Sequence, residues 1–251
     1  MITQTLFDLP FVKNAARATV NGPTVDPTSF SGLTLWLRAE DLSALGEGGR
    51  IGTGSNSWFD HINSSISASQ PTATSRPYYL TTNFAGGKAG VHFTASLSQG
   101  LTLNRTFLFP TEWTCQVLFK GNGTDSIIMG NPTINSQLRR FRSGANNMSA
   151  YGGGADIASD AFSSSISQSV VLTWIASGSF ISMYEGIYIR KPLIGMGPDQ
   201  SWNTIGYTSF GGFATGSIAE ICMWSGSLSS SLINIYNNYW KVKYSSEIFY
   251  G

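Results

Sequence analysis

The sequence predicts an all-β fold, an antiparallel β-sandwich with one C-terminal helix, and three observations carry that reading. Charged residues are 12% of the 251, against about 25% in an average soluble domain. Aromatic residues reach 13% and there are 28 glycines, a composition of strands and tight turns rather than of helices, whose exposed faces draw on Lys and Glu. From Ser31 onward, short apolar runs alternate with turn clusters, as a sandwich requires. Hydrophobic residues make up 41%, enough for a sizeable core and too many for intrinsic disorder.

The elements follow in order. LTLWLRA (33–39) sets Leu33, Leu35 and Leu37 on one face and Trp36 on the other, so both faces of this strand should be covered. KAGVHFT (88–94), EWTCQVLF (112–119), SIIMG (126–130), LRRFRS (138–143), SVVLTWIA (169–176), FISMYEG (180–186) and SIAEICMW (217–224) read as further strands. Between them stand Gly86-Gly87, Gly121-Asn122-Gly123, Gly152 to Gly154 and Gly211-Gly212, which supply the positive φ of tight connections. Near the end, Ser229, Ser230 and Ser231 can cap a first helical turn. Leu232, Ile235, Tyr236, Tyr239 and Val242 then recur at three- and four-residue spacings, predicting a helix that lies on the sandwich by that face. No segment repeats at a fixed period, which argues against a propeller or solenoid.

Residues 1–29 read differently. Pro10, Pro23 and Pro27 interrupt any regular element, so the expectation is an extended N-terminal arm ahead of one domain over 30–251. Its apolar Leu6, Phe7, Leu9, Phe11 and Val12 would cover either this domain's own surface or a partner's.

Several function classes fall on charge and motif grounds. The net charge is +1 and no basic run exceeds Arg139-Arg140, which leaves no footprint for a nucleic-acid backbone. No apolar run approaches the roughly 20 residues of a membrane span, and the N-terminal stretch lacks the pattern of a secretory signal. The expectation is synthesis in a cytoplasm without membrane insertion. Cys115 and Cys222 sit in apolar runs and read as small buried hydrophobes rather than as a disulfide framework.

The order of several segments resembles the concanavalin A-like lectin/glucanase superfamily, in particular its laminin-G-like jelly-roll domains of the bacterial and phage type. SGLTLWLRAEDL is similar to the first strand of that family, and SWFDHINSS (57–65) to its Trp-x-Asp segment through Trp58 and Asp60. His61-Ile62-Asn63 stands where a Ser-Gly pair is usual. SRPYYL (75–80), GKAGVHFTASLSQGLTL (87–103) and WTCQVLFK follow in the family's order, and GSIAEICMWSGSLSSSLINIYNNYWKVKY (216–244) resembles its last strand and closing helix. The resemblance covers about 31–246 and implies a jelly-roll fold. It does not choose among sugar binding, glycoside hydrolysis and a structural role.

Catalysis finds little support in the residues. Glycoside hydrolysis needs two carboxylates flanking one bond. The strand pattern Glu-x-Asp-x-x-Glu that the resemblance would imply is missing, and the neighbours Glu40 and Asp41 should point to opposite faces of a strand. No Gly-x-Ser-x-Gly elbow, paired zinc spacing or phosphate loop is present. His61 reads as a turn residue and His92 as a satisfied strand position. Calcium, bound by many members of the resembled family, would find oxygen ligands at Asp125, or at Asp156 and Asp160 in GGGADIASD. Glu220 matches a family position, and hydrogen bonding to loop backbone accounts for it.

Sugar binding asks for an aromatic platform with amides or hydroxyls beside it. DQSWNTIGYTSFGGF (199–213) offers Trp202, Asn203, Tyr207 and Phe210 in loop-like sequence, with Tyr151 nearby if two loops converge. The expectation is therefore a non-enzymatic surface or structural protein of a virion, such as a phage capsid decoration, fibre or tail component. Its arm would attach to other virion proteins, and its sandwich would be free to engage a surface polysaccharide. The alternatives are a cellular carbohydrate-binding module and a glycoside hydrolase with an unrecognised site. A homo-oligomer through strand exchange by the arm stays open.

Overall fold

A computed structural model of the protein describes residues 25–109, 111–121, 126–133, 136–142, 145–152, 155–161, 168–178, 180–186, 188–195, 200–208, 212–244 and 248–249. The strands are β1 (Leu33–Arg38), β2 (Trp58–Phe59), β3 (Ser67–Ser69), β4 (Tyr78–Phe84), β5 (Lys88–Phe93), β6 (Leu101–Phe109), β7 (Glu112–Gly121), β8 (Ser126–Asn131), β9 (Ser136–Arg142) and β10 (Ala145–Gly152). They continue with β11 (Ala155–Ala161), β12 (Ser169–Ser177), β13 (Phe180–Glu185), β14 (Tyr188–Gly195), β15 (Gln200–Ile205), β16 (Tyr207–Thr208), β17 (Gly212–Phe213) and β18 (Gly216–Trp224). Helix α1 (Ser230–Tyr244) and the short β19 (Ile248–Phe249) close the chain. The runs read as strands in the sequence all form strands.

Two large sheets stack face to face. One runs β14-β13-β12-β7-β18-β5-β4, with β1 on β18 and β19 on β12; the other runs β11-β10-β9-β8-β15-β6-β3-β2. The chain crosses between them repeatedly, which is why strands distant in sequence share an interior. That interior gathers Leu35, Leu37, Trp58, Phe93, Trp113, Phe119, Trp174, Trp202 and Met223, all without solvent exposure. Gly206, at φ 80° between β15 and β16, lets the chain turn where a Cβ would meet the Phe93 ring at 2.5 Å.

The outer face of the first sheet is covered too, as the alternation in β1 predicted. Trp36, Leu118, Cys222 and Trp224 face away from the interior and are buried under α1 by Tyr236, Tyr239, Trp240 and Tyr244. Cys115 belongs to the interior and Cys222 to this outer layer, so the two free thiols lie on opposite faces of paired strands. Burial pushes both well above the ordinary thiol range.

The helix is where expected, capped by Ser229, whose Oγ accepts the Leu232 N–H at 3.4 Å. Its buried face differs from the expected one. Ile233, Tyr236, Asn237, Tyr239, Trp240 and Tyr244 are buried, whereas Ile235 is 38% and Val242 60% exposed. A stripe of large aromatics buries more apolar area than the aliphatic stripe beside it, and that difference sets the rotation of the helix. Residues around the end of the segment read as an arm dock on the same helix: Tyr236 Oη donates to the Pro27 carbonyl at 3.0 Å, and the Tyr236 ring meets Phe30 in a tilted contact at 4.6 Å. Leu6, Phe7, Leu9, Phe11 and Val12 lie outside the described residues.

Candidate functional site

The residues singled out in the sequence do not converge on one platform. Trp202 lies in β15, not in a loop, and has no solvent exposure. Its indole meets Trp113 edge to face at 4.5 Å, so it completes the core and offers no face to a sugar. Asn203, beside it on the strand, is half-buried. Tyr207 is half-buried, stacks on Phe213 at 6.0 Å and shares a hydrogen bond with Thr102 at 2.8 Å. The backbone of Tyr151 lies in β10, three strand spacings from β15 across β9 and β8, roughly 14 Å away, so the expected meeting of two loops does not occur. Phe210 lies outside the described residues.

The segment read as a loop that could supply calcium ligands is placed as a strand. Asp156 and Asp160 belong to a strand, β11, paired with β10, and four residues of extended chain separate them by about 13 Å where a chelating loop would fold them together. Asp125 lies outside the described residues. Among the described residues no three His, Cys, Asp or Glu side chains gather as a metal centre requires.

The polar residues of the β1 region are held for structural ends. Glu40 and Asp41 occupy a 3-10 turn (Ala39–Leu45), not a strand. Asp41 is bound by Arg38 at 2.5 Å and by His61 Nδ1 at 3.2 Å, while Glu40 accepts from Lys243 at 2.8 Å and Lys88 at 3.3 Å. Burial alone would push the Glu40 carboxyl up, but the hydrogen bond and charge of Lys243, with Lys88 behind them, outweigh it and hold the group below its usual range. Glu220 is fully buried under α1, where it bonds side chains rather than the loop backbone expected: Trp36 Nε1 at 2.8 Å, Tyr244 Oη at 2.6 Å and Lys243 Nζ at 2.5 Å. His92 is satisfied by Ser217 Oγ at 2.9 Å, and burial lowers its pKa.

What the fold does assemble is a cleft of about 330 Å³ at the rim of the sandwich. It lies between the start of β1 (Leu33, Thr34), the loop after β2 (Ile62, Asn63, Ile66), the middle of β6 (Arg105, Phe107, Leu108) and Ser225 beyond β18. Every wall is braced. Asp60 Oδ1 accepts the N–H groups of Trp36 at 2.8 Å and Ile62 at 3.3 Å, fixing the loop to β1; burial raises the Asp60 pKa against the pull of these hydrogen bonds. Asn63 Oδ1 accepts the Ser65 N–H at 3.1 Å and its hydroxyl at 2.7 Å, an Asx turn. In β6 the pairing with β15 passes from Thr102 to Phe107 against only Thr204 to Trp202, so the intervening residues bulge. Asn104 pins the bulge, accepting the Ser67 N–H at 3.0 Å and donating to the Ser65 carbonyl at 2.8 Å. Arg105 is thereby presented at the cleft, its guanidinium 5.5 Å from the Phe107 ring centroid.

The lining combines apolar surface with hydroxyl, amide and guanidinium groups on a rigid frame, and its size lies at the small end of ligand sites. Sequence reasoning missed it because its residues come from four segments, and the anchors noted in two of them, SGLTLWLRAEDL and SWFDHINSS, mark the fold and not a ligand.

No family model matches the sequence, and comparison with curated proteins found no relative. Solved structures are similar in fold. The binding domain of Paraclostridial Mosquitocidal Protein 1 is 9% identical at a TM-score of 0.54, over 82% of this chain and 52% of that one. A Trypanosoma rangeli sialidase in complex with sialic acid is 13% identical at 0.52, over 87% of this chain and 35% of that one. Domain 4 of a GH43 extracellular arabinanase from Geobacillus stearothermophilus, in complex with arabinotriose, is 15% identical at 0.45, over 81% and 97%. The chain thus spans about a third of the sialidase and half of the mosquitocidal binding domain. The likeness to the sialidase overturns the expectation that the protein is not an enzyme. The sandwich recurs within the chain of an enzyme, and the expectation, which rested on missing catalytic motifs, is withdrawn.

Proposed function

We propose that the protein binds a carbohydrate in the cleft between β1, the loop after β2 and β6. The observation that carries this reading is the lining itself. Leu33, Ile62 and Leu108 offer apolar surface for the C–H face of a pyranose, while Thr34, Asn63 and Ser225 offer hydroxyl and amide groups for its hydroxyls. Rigid walls reduce the ordering cost that weakens most saccharide complexes. The resemblance to laminin-G-like domains and the recurrence of the fold in the chain of a sialidase support the same reading. The comparisons lend no support to a virion setting, and the reading stops at the glycan.

The test is a glycan array probed with the full chain, followed by affinities for two variants. Leu108 is 72% exposed, so Leu108→Ala should leave the melting temperature unchanged and weaken binding several-fold; Ser225→Phe, which fills the cleft, should abolish it. Unchanged affinity in both variants would remove the cleft from consideration. Reducing ends assayed in the same samples report cleavage.

A further inference from the structure

Resting on that reading, we propose that the saccharide taken by this cleft bears a carboxylate, engaged by Arg105. Of the residues lining the cleft, Arg105 alone carries a charge, in a chain where only 12% of residues do. Its side chain is exposed, and among the described residues it forms no ion pair. The arginines Arg38, Arg50 and Arg76, by contrast, are engaged by the protein itself: Arg38 on Asp41, Arg50 on Tyr78 and the Arg76 carbonyl, and Arg76 on the Gln70 and Pro71 carbonyls. Arg105 is different in being presented without an acceptor among the described residues.

The presentation is built. Asn104 fastens the preceding backbone to β3 and to the Ser65 carbonyl, and the Phe107 ring lies beneath the guanidinium. A guanidinium so placed keeps its planar fork of donors available, and that fork matches a carboxylate in two parallel hydrogen bonds. A neutral hexose could use one donor; a uronic or other carboxylated sugar uses the pair and the charge. The hydroxyl and amide groups of Thr34, Asn63 and Ser225 remain for the ring hydroxyls. At a solvent-facing rim the charge-assisted pair is expected to give about a tenfold preference, and salt should erode it.

The experiment compares an oligogalacturonate with its methyl ester, two ligands with the same rings and hydroxyls, on the full-length protein by titration calorimetry. Wild type should bind the acid about tenfold more tightly than the ester, with the difference shrinking as salt is raised. Arg105→Gln should bring the acid to the affinity of the ester without changing the melting temperature, and Arg105→Lys should restore part of the preference. Equal affinity of acid and ester in wild type, or a preference that survives Arg105→Gln, overturns the proposal while leaving carbohydrate binding in place. Binding only to neutral saccharides on the array does the same. If no saccharide of either kind binds, the carbohydrate reading itself falls, and this proposal with it.

Discussion

Trp202 lies without solvent exposure against Trp113, in a strand flanked by polar residues. Truncating it would empty the interior next to Phe107, its cross-strand neighbour. Trp202→Ala is therefore expected to cost about 3–5 kcal/mol of stability, measured by urea unfolding, where an exposed sugar-stacking tryptophan would cost almost nothing. The sequence placed this residue in a loop because Asp199, Ser201 and Asn203 around it read as turn formers. Neither the alternation nor a glycine marked a strand. Trp58 and Asp60 were more legible. Trp58 is fully buried with its Nε1 donating to the Arg38 carbonyl at 2.8 Å, and Asp60 accepts from the Trp36 backbone, so two segments picked out separately interlock in space. Glu220 was noticed for its position, but its partners Tyr244 and Lys243 lie a helix away, and no spacing in the sequence announces them.

At the scale of elements, α1 is held to the sandwich by an apolar face and by a chain of charges from Glu220 through Lys243 to Glu40 and Lys88. The depressed Glu40 carboxyl means that the folded state takes up its proton less readily than the unfolded chain. The contribution of this clip to stability is then fully present above the unfolded carboxylate range, about pH 4.3, and is lost as pH falls through the lower folded pKa. Urea midpoints of wild type and Glu40→Gln should accordingly differ at neutral pH and converge in acid. A constant difference at every pH would show that the clip is not electrostatic. The existence of the helix was legible from its serines and its periodicity. Its rotation was not, because Ile235 and Val242 satisfy the same spacing as the aromatics, and only the area available beneath Tyr236 and Trp240 decides between them. Strands rich in Val, Ile and Trp, such as β12 and β18, stood out by composition. β10 and β11, built mostly of Ala, Ser, Asn, Asp and Gly with only Met148, Tyr151 and Ile157 as large apolar residues, carry no such mark, and Gly152 to Gly154 made the second of them look like a loop.

At the scale of the molecule, the sandwich and its covering helix followed from low charge, many aromatics and regularly spaced turns, because burying short alternating strands admits few other architectures. The cleft did not follow. It exists only because the start of β1, the bulge of β6, the loop after β2 and the turn after β18 meet at one rim, and topology of that order is not written in any local pattern. The proposed function therefore rests on geometry that the sequence leaves implicit: a braced concavity, apolar on some walls and hydrogen-bonding on others, with one charge presented to it. The most direct measurement is a crystal structure of the full chain soaked with the tightest saccharide from the array. The account predicts a sugar ring seated between Leu33, Ile62 and Leu108, with its hydroxyls toward Asn63 and Ser225. A ring bound instead on the Tyr207 and Phe213 pair, or anywhere outside this cleft, would contradict it.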